Sequence, residues 1–255
     1  MTAAEVAKKI QREYELAMNA DKNIARMYAR IGDGTATIEE IGEFATMSGQ
    51  HIGNIVVSNL EEAFPAGIVT EAEAIEMIPP SLRTNHEYVS DVARRVQDRV
   101  NQKNGIGLKA IAPEFDSDGA IRIATNISAY ENIMNHSEDI AAVLENASRK
   151  VADRSLEVNA GHFDAAGLET TVVREYDGVG LHDGRDECTW CVDRSGTFSY
   201  REAQEIGAFQ RHVGCGCIIT YMSGRRLTQR QTDWTHNKWE DIPRETLEQR
   251  KSHGR

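Results

Sequence analysis

The stretch Cys188-Thr189-Trp190-Cys191, answered downstream by His212-Val213-Gly214-Cys215-Gly216-Cys217, decides how this chain is read. It holds all four cysteines of a 255-residue protein. Thiolates and an imidazole gathered into two close-spaced sets are the donor chemistry of a tetrahedral zinc site. A two-residue gap lets both thiolates of a tight turn reach one ion, and a second set closes the tetrahedron. Five candidate donors, Cys188, Cys191, His212, Cys215 and Cys217, stand against four coordination positions. Gly216 separates the last two thiols, and we expect them to diverge. His212 with either cysteine then completes the site, and the other thiol packs beside it.

An ion enclosed by four protein donors has no open position for water, so the expected cofactor is a structural Zn2+ rather than a hydrolytic one. Two rivals exist. Buried, reduced thiols could fill a tight β-turn, and a redox C-x-x-C would need a thioredoxin-like βαβ setting that the flanking sequence lacks. Disulfides belong to oxidising compartments. The N-terminus, Met1-Thr2-Ala3-Ala4-Glu5, turns charged without an apolar leader, and we expect a protein made in a reducing cytoplasm.

Working outward, Thr170–Tyr176 reads as a strand entering a turn at Asp177-Gly178, Thr197–Tyr200 as a short strand, and Cys217–Met222 as a last one. Tyr200 to Phe209 suits one or two helical turns. This region is poor in apolar residues, so a bound ion is expected to supply much of its folding free energy. Trp190, between two ligand candidates, is expected to pack over the site.

The first 150 residues read as helices. Thr2 with Glu5, Thr37 with Glu40, Thr70 with Glu73 and Thr84 with Glu87 all have capping-box spacing. They predict a helix to about Arg30, a second stopping near Pro65, a third ended by Pro79-Pro80, and a fourth running to Gly105. Residues 104–126 read as a loop or β-excursion with a strand-like piece at Ala120–Ala124, and a helix is expected over 127–158. The expected fold class is α+β: a long helical N-terminal part (1–158), a small zinc-pinned β-rich module (159–223), and a polar basic tail (224–255).

With 40% hydrophobic and 27% charged residues the composition is globular. No apolar run approaches the roughly 20 residues needed to cross a bilayer, so no membrane partner is expected. The net charge of −11 is uneven. Residues 1–184 carry 17 basic and 30 acidic side chains, whereas residues 223–255 carry 8 and 5. An acidic body excludes general coating of nucleic acid. The tail, with Arg225, Arg226, Arg230 and Lys238, could touch phosphate locally, although a solvated tail is the simpler reading. Trp234 and Trp239 would anchor it to the protein's own surface or to a partner.

A second cluster, His162, Asp164, Asp177, His182 and Asp183, invites an acid–base or metal-hydrolytic reading. It lies among Gly178, Gly180 and Gly184, where Asp and His usually cap turns or meet solvent. A metal-dependent nuclease or hydrolase using this loop is the alternative function.

The run Asp186-Glu187-Cys188-Thr189-Trp190-Cys191-Val192-Asp193-Arg194-Ser195-Gly196-Thr197-Phe198, followed by Phe209-Gln210-Arg211-His212-Val213-Gly214-Cys215-Gly216-Cys217, resembles the Mu protein F-like minor head proteins of tailed bacteriophages, also called head morphogenesis proteins. The strand Val172–Tyr176 with Asp177 sits where that family places one. The resemblance is specific over about 150–222 and architectural before it. Val213 stands where members often carry Pro, and Gly216 where they carry a basic residue. Neither change removes a ligand, but the second weakens DNA contact by this turn. The resemblance implies a minor capsid component, present in few copies, that associates with the portal protein and with capsid or scaffold proteins during head assembly. It implies an influence on genome packaging or ejection, residence in the virion at the head interior or portal vertex after assembly in the host cytoplasm, and no enzymatic activity. The acidic helical part would make the partner contacts, and the tail the local contact with packaged DNA.

Overall fold

Thr2 caps the first helix as its spacing predicts. Its side chain accepts from the Glu5 amide while Glu5 reaches back to the Thr2 amide, opening α1 (Ala3–Ala20). The computed structural model describes residues 1–176 and 188–223. Asp177, His182, Asp183 and the tail from 224, with its arginines, Lys238, Trp234 and Trp239, lie outside the described residues. The described chain is mostly helical with one small antiparallel sheet. It divides into two compact units, residues 1–97 with 112–155, and residues 98–111 with those from 156 onward.

In the first unit, the single helix expected to Arg30 is two. Asp21 takes an extended conformation, ends α1, and accepts from the Asn23 and Ile24 amides to open α2 (Lys22–Gly32). An Asp that caps the next turn competes with helix continuation, which periodicity alone does not reveal. Helix α3 (Glu39–Ala63) ends before Pro65 as expected. The Thr70–Glu73 box opens α4, which runs from Glu71 to Lys103 straight through Pro79 and Pro80. The expected break there is therefore wrong. Each proline removes one hydrogen bond, to the carbonyls of Ile75 and Glu76, but Ala74, Met77, Ile78 and Leu82 around them are buried at 5% exposure or less. Their packing outweighs the lost bonds, and Thr84 donates back to the Pro80 carbonyl instead of capping a new helix.

Residues 117–128 contradict the strand-like reading of Ala120–Ala124. They form α5 (Ser117–Ser128), opened by Asp116, whose carboxylate accepts from the Gly119 amide. Ala120, Ala124 and Ile127 are its buried face, a helical period that alternating Ile121 and Ile123 disguise. A 3-10 turn at Ile133–His136 precedes α6 (Ser137–Ala165), so the helix expected over 127–158 begins and ends later. The core joins Val6, Ile10 and Tyr14 of α1 with Phe44, Ile52 and Val56 of α3 and Val89, Val92 and Val96 of α4. At its centre Asn85 donates to Tyr14 Oη at 3.0 Å and to Ser48 Oγ at 2.8 Å, and the two hydroxyls bond each other. None of the helices is long and apolar enough to cross a membrane, among the described residues.

In the second unit α6 passes Gly161 without breaking, and the missing Cβ there leaves room for the Tyr200 hydroxyl against the helix backbone. Its stop is Gly167 at φ +79°, with Leu168 N bonded to Phe163 O and Gly167 N to Asp164 O. The sheet follows, in the order β2-β1-β3, from β1 (Thr170–Glu175), β2 (Gly196–Ser199) and β3 (Ile218–Ser223), all antiparallel. These strands lie within a residue or two of their expected bounds, and α8 (Tyr200–Glu205) occupies the expected helical turns behind a Ser199–Glu202 capping box.

Candidate metal centre

Cys188 sits at the N-terminus of the single helical turn α7 (Thr189–Val192), and its carbonyl accepts from the amides of Cys191 and Val192, both at 2.9 Å. Three residues apart on such a turn, the two thiols share a face. On the far side, Cys215 N donates to His212 O at 3.2 Å, closing a turn in which Gly214 takes φ +76°. That conformation suits Gly and brings His212 and Cys215 round together. Both sets converge on Cys191. The ligand atoms of Cys188, Cys191 and His212 lie within 4.8 Å of one another, as do those of Cys191, Cys215 and Cys217.

The expected divergence of Cys215 and Cys217 does not occur. Residues two apart on extended backbone face the same way. The Arg211 guanidinium donates to the carbonyls of both, at 2.6 and 3.0 Å, tying down the segment ahead of β3. All four thiols are free and buried. Cys191 Sγ stands 3.6 Å from Cys215 Sγ, far beyond the ~2.05 Å of a disulfide. It is close to the edge of about 3.8 Å that two thiolates make on a zinc tetrahedron with bonds of about 2.3 Å.

His212 is held as a ligand imidazole would be. Its Nδ1 lies 2.7 Å from the Val213 carbonyl, which can only accept, so Nδ1 carries the hydrogen. The lone pair is therefore on Nε2, which lies 3.2 Å from Cys188 Sγ and 3.0 Å from Cys191 Sγ. A backbone partner of this kind fixes tautomer and ring angle in metal-bound histidines. Trp190 stands edge-on to the His212 ring, with centroids 5.2 Å apart, and Arg194 lies 4.1 Å over its face. Its expected place over the cluster is thus what the structure has.

Electrostatics mark the same centre. The Cys215 thiol falls to about 5, chiefly through its hydrogen bond with Cys217, aided by the charges of Arg211 and Arg174 against the effect of burial. Burial pushes Cys191 up to about 12, and Cys217 rises as the proton donor to Cys215. The chain matches no protein-family model, no curated protein and no solved structure.

Soft thiolates with one imidazole suit zinc among the common divalent ions, and the donors present are enough to hold one. The second cluster is not assembled among the described residues. His162 and Asp164 occupy the last turn of α6 rather than a loop, His162 beside Phe163 and Asp164 exposed, while Asp177, His182 and Asp183 lie outside the described residues. Sequence reading passed over two residues that matter here, Arg211 and Arg174. For Arg174 the signal was a charge directly after Val172 and Val173 in a strand, since a charge buried in a central strand needs a partner.

Proposed function

We propose that this protein is a minor head protein of a tailed bacteriophage whose C-terminal module is held by a structural zinc. The observation that carries the reading is the convergence of the buried Cys188, Cys191, Cys215 and Cys217 with the half-buried His212, in a sequence frame resembling the Mu protein F-like proteins. When bound, zinc would tie the α7 turn to the His212–Cys217 turn through four protein donors, leaving no position at which water could be activated. The residues themselves hold the donors ready. His212 Nδ1 is fixed by Val213, Cys215 and Cys217 are fixed through Arg211, and Cys191 stands at the junction.

On this reading the module is scaffolding, and the acidic helical part docks on the portal or the inner face of the shell. The test is co-expression with the portal protein of the same phage, followed by sedimentation. Co-migration with portal or procapsids, together with inertness toward plasmid DNA in added divalent metal, is the expected outcome. Degradation of the plasmid that depends on His182, without portal association, would replace this reading by the nuclease one.

A further inference from the structure

Arg174 is the largest fully buried side chain among the described residues, at 1% exposure, and it stands in the central strand β1 opposite Gly196 and Ile219. Its Nη1 donates to the carbonyls of Ala208, at 2.7 Å, and Gln210. Its Nη2 points at the sulfurs, 3.4 Å from Cys215 Sγ and 3.9 Å from Cys191 Sγ. The guanidinium carbon is 5.2 Å from the Trp190 ring centre, and Nε has no partner among the described residues. No carboxylate among the described residues pairs with it.

A guanidinium does not give up its proton in a protein, so this is a full buried charge. Carbonyls solvate such a charge without neutralising it, and a neutral thiol is a weak acceptor. A metal-bound thiolate is both a strong acceptor and a negative charge. A divalent ion with three thiolates and an imidazole leaves a net charge of −1, and with four thiolates −2. The planar fork also fits a geometry that a lysine cannot reproduce, one nitrogen on two carbonyls and the other between two sulfurs.

Resting on the metal-centre reading above, we propose that Arg174 is a positioning residue for that centre: it supplies the counter-charge and the N–H···S hydrogen bonds that favour an anionic, thiolate-rich ligand set including Cys191 and Cys215. Loss of the ion then removes the metal-bound thiolates that face Arg174, which couples metal binding to folding of the second unit beyond the coordination bonds themselves.

The test uses the full chain and its Arg174→Met and Arg174→Lys variants, loaded separately with Zn2+ and with Co2+. Zinc affinity is read by chelator competition, and the sulfur-to-cobalt charge-transfer band by absorption. Partners of metal ligands typically contribute about 10- to 100-fold in affinity. Arg174→Met should therefore bind zinc at least about tenfold more weakly and move the cobalt band to lower energy, with Arg174→Lys recovering part of the affinity. Wild-type affinity and an unmoved band in Arg174→Met would overturn the proposal. So would equal weakening in both variants with the band unmoved, which is the mark of a strand tie only. If Arg174→Met does not fold, the band of Arg174→Lys decides in the same way. Wild type taking up neither ion is a different result, removing the metal-centre reading and this proposal with it.

Discussion

Helix α3 carries two glycines whose replacement by alanine should act in opposite directions. Gly42 has nothing within 4 Å of where a Cβ would stand, so Gly42→Ala collects only the helix-propensity and unfolded-chain gain, about 0.5–1 kcal/mol. A Cβ on Gly49 would stand 2.8 Å from Glu145 Cα, 2.9 Å from Ser148 Cβ and 3.0 Å from the Glu145 carbonyl of α6. Two of these are backbone atoms, which cannot rotate away. Overpacking of this kind costs about 1–3 kcal/mol. Set against the same intrinsic gain, Gly49→Ala should fall below Gly42→Ala by the overpacking cost alone, about 1–3 kcal/mol, for a net loss of roughly 1 kcal/mol at the middle of that range. Urea titration followed by far-UV circular dichroism reads mainly the helices of the first unit. Its residues contain no tryptophan, so Trp fluorescence separately follows the rest of the chain. With a slope of about 2 kcal/mol/M, the two midpoints should move apart by roughly 0.5–1.5 M. A Gly49→Ala midpoint raised as far as that of Gly42→Ala would refute the close α3–α6 approach.

Tyr14→Phe leaves Asn85 and Ser48 buried with a donor and an acceptor unmet, and should lower stability by about 1–3 kcal/mol in the same titration. Asp21 is held below its usual carboxyl value of 3.8, first by the hydrogen bond to His51 and then by the two capping amides. A depressed folded value means its stabilising effect is complete above about pH 4 and disappears as pH falls through the folded value. Asp21→Asn should therefore flatten the acid side of the stability–pH curve, and a variant as acid-sensitive as wild type would contradict the assignment. Cys188→Ser should release the second unit to limited proteolysis while the first unit's helices stay protected. The same C-terminal fragment surviving as in wild type would count against a metal-held module.

What could be read from sequence followed the strength of the local signal. The strands around the cysteines were legible because Val172, Val173, Ile218 and Ile219 sit between turn formers, and the ligand candidates because cysteines occur nowhere else. Capping boxes at Thr2 and Thr70 were real, whereas the one at Thr84 was a coincidence of spacing inside a longer helix. Pro79 and Pro80 misled because burial of Met77 and Ile78 is a tertiary property. Asp21 and Asp116 act through their own side-chain bonds to nearby amides, which hydrophobic periodicity does not register. The charge of Arg174 within a strand was legible, but not its role at the site, since its partners, Ala208, Gln210, Cys191 and Cys215, are distant in sequence.

The central claim is that one ion organises the Cys188–Cys217 cluster, and metal analysis of the purified protein tests it most directly. One zinc per chain is the predicted result, absent from the Cys191→Ser variant. A metal-free protein whose second unit stays folded, with its four thiols free, would contradict the account.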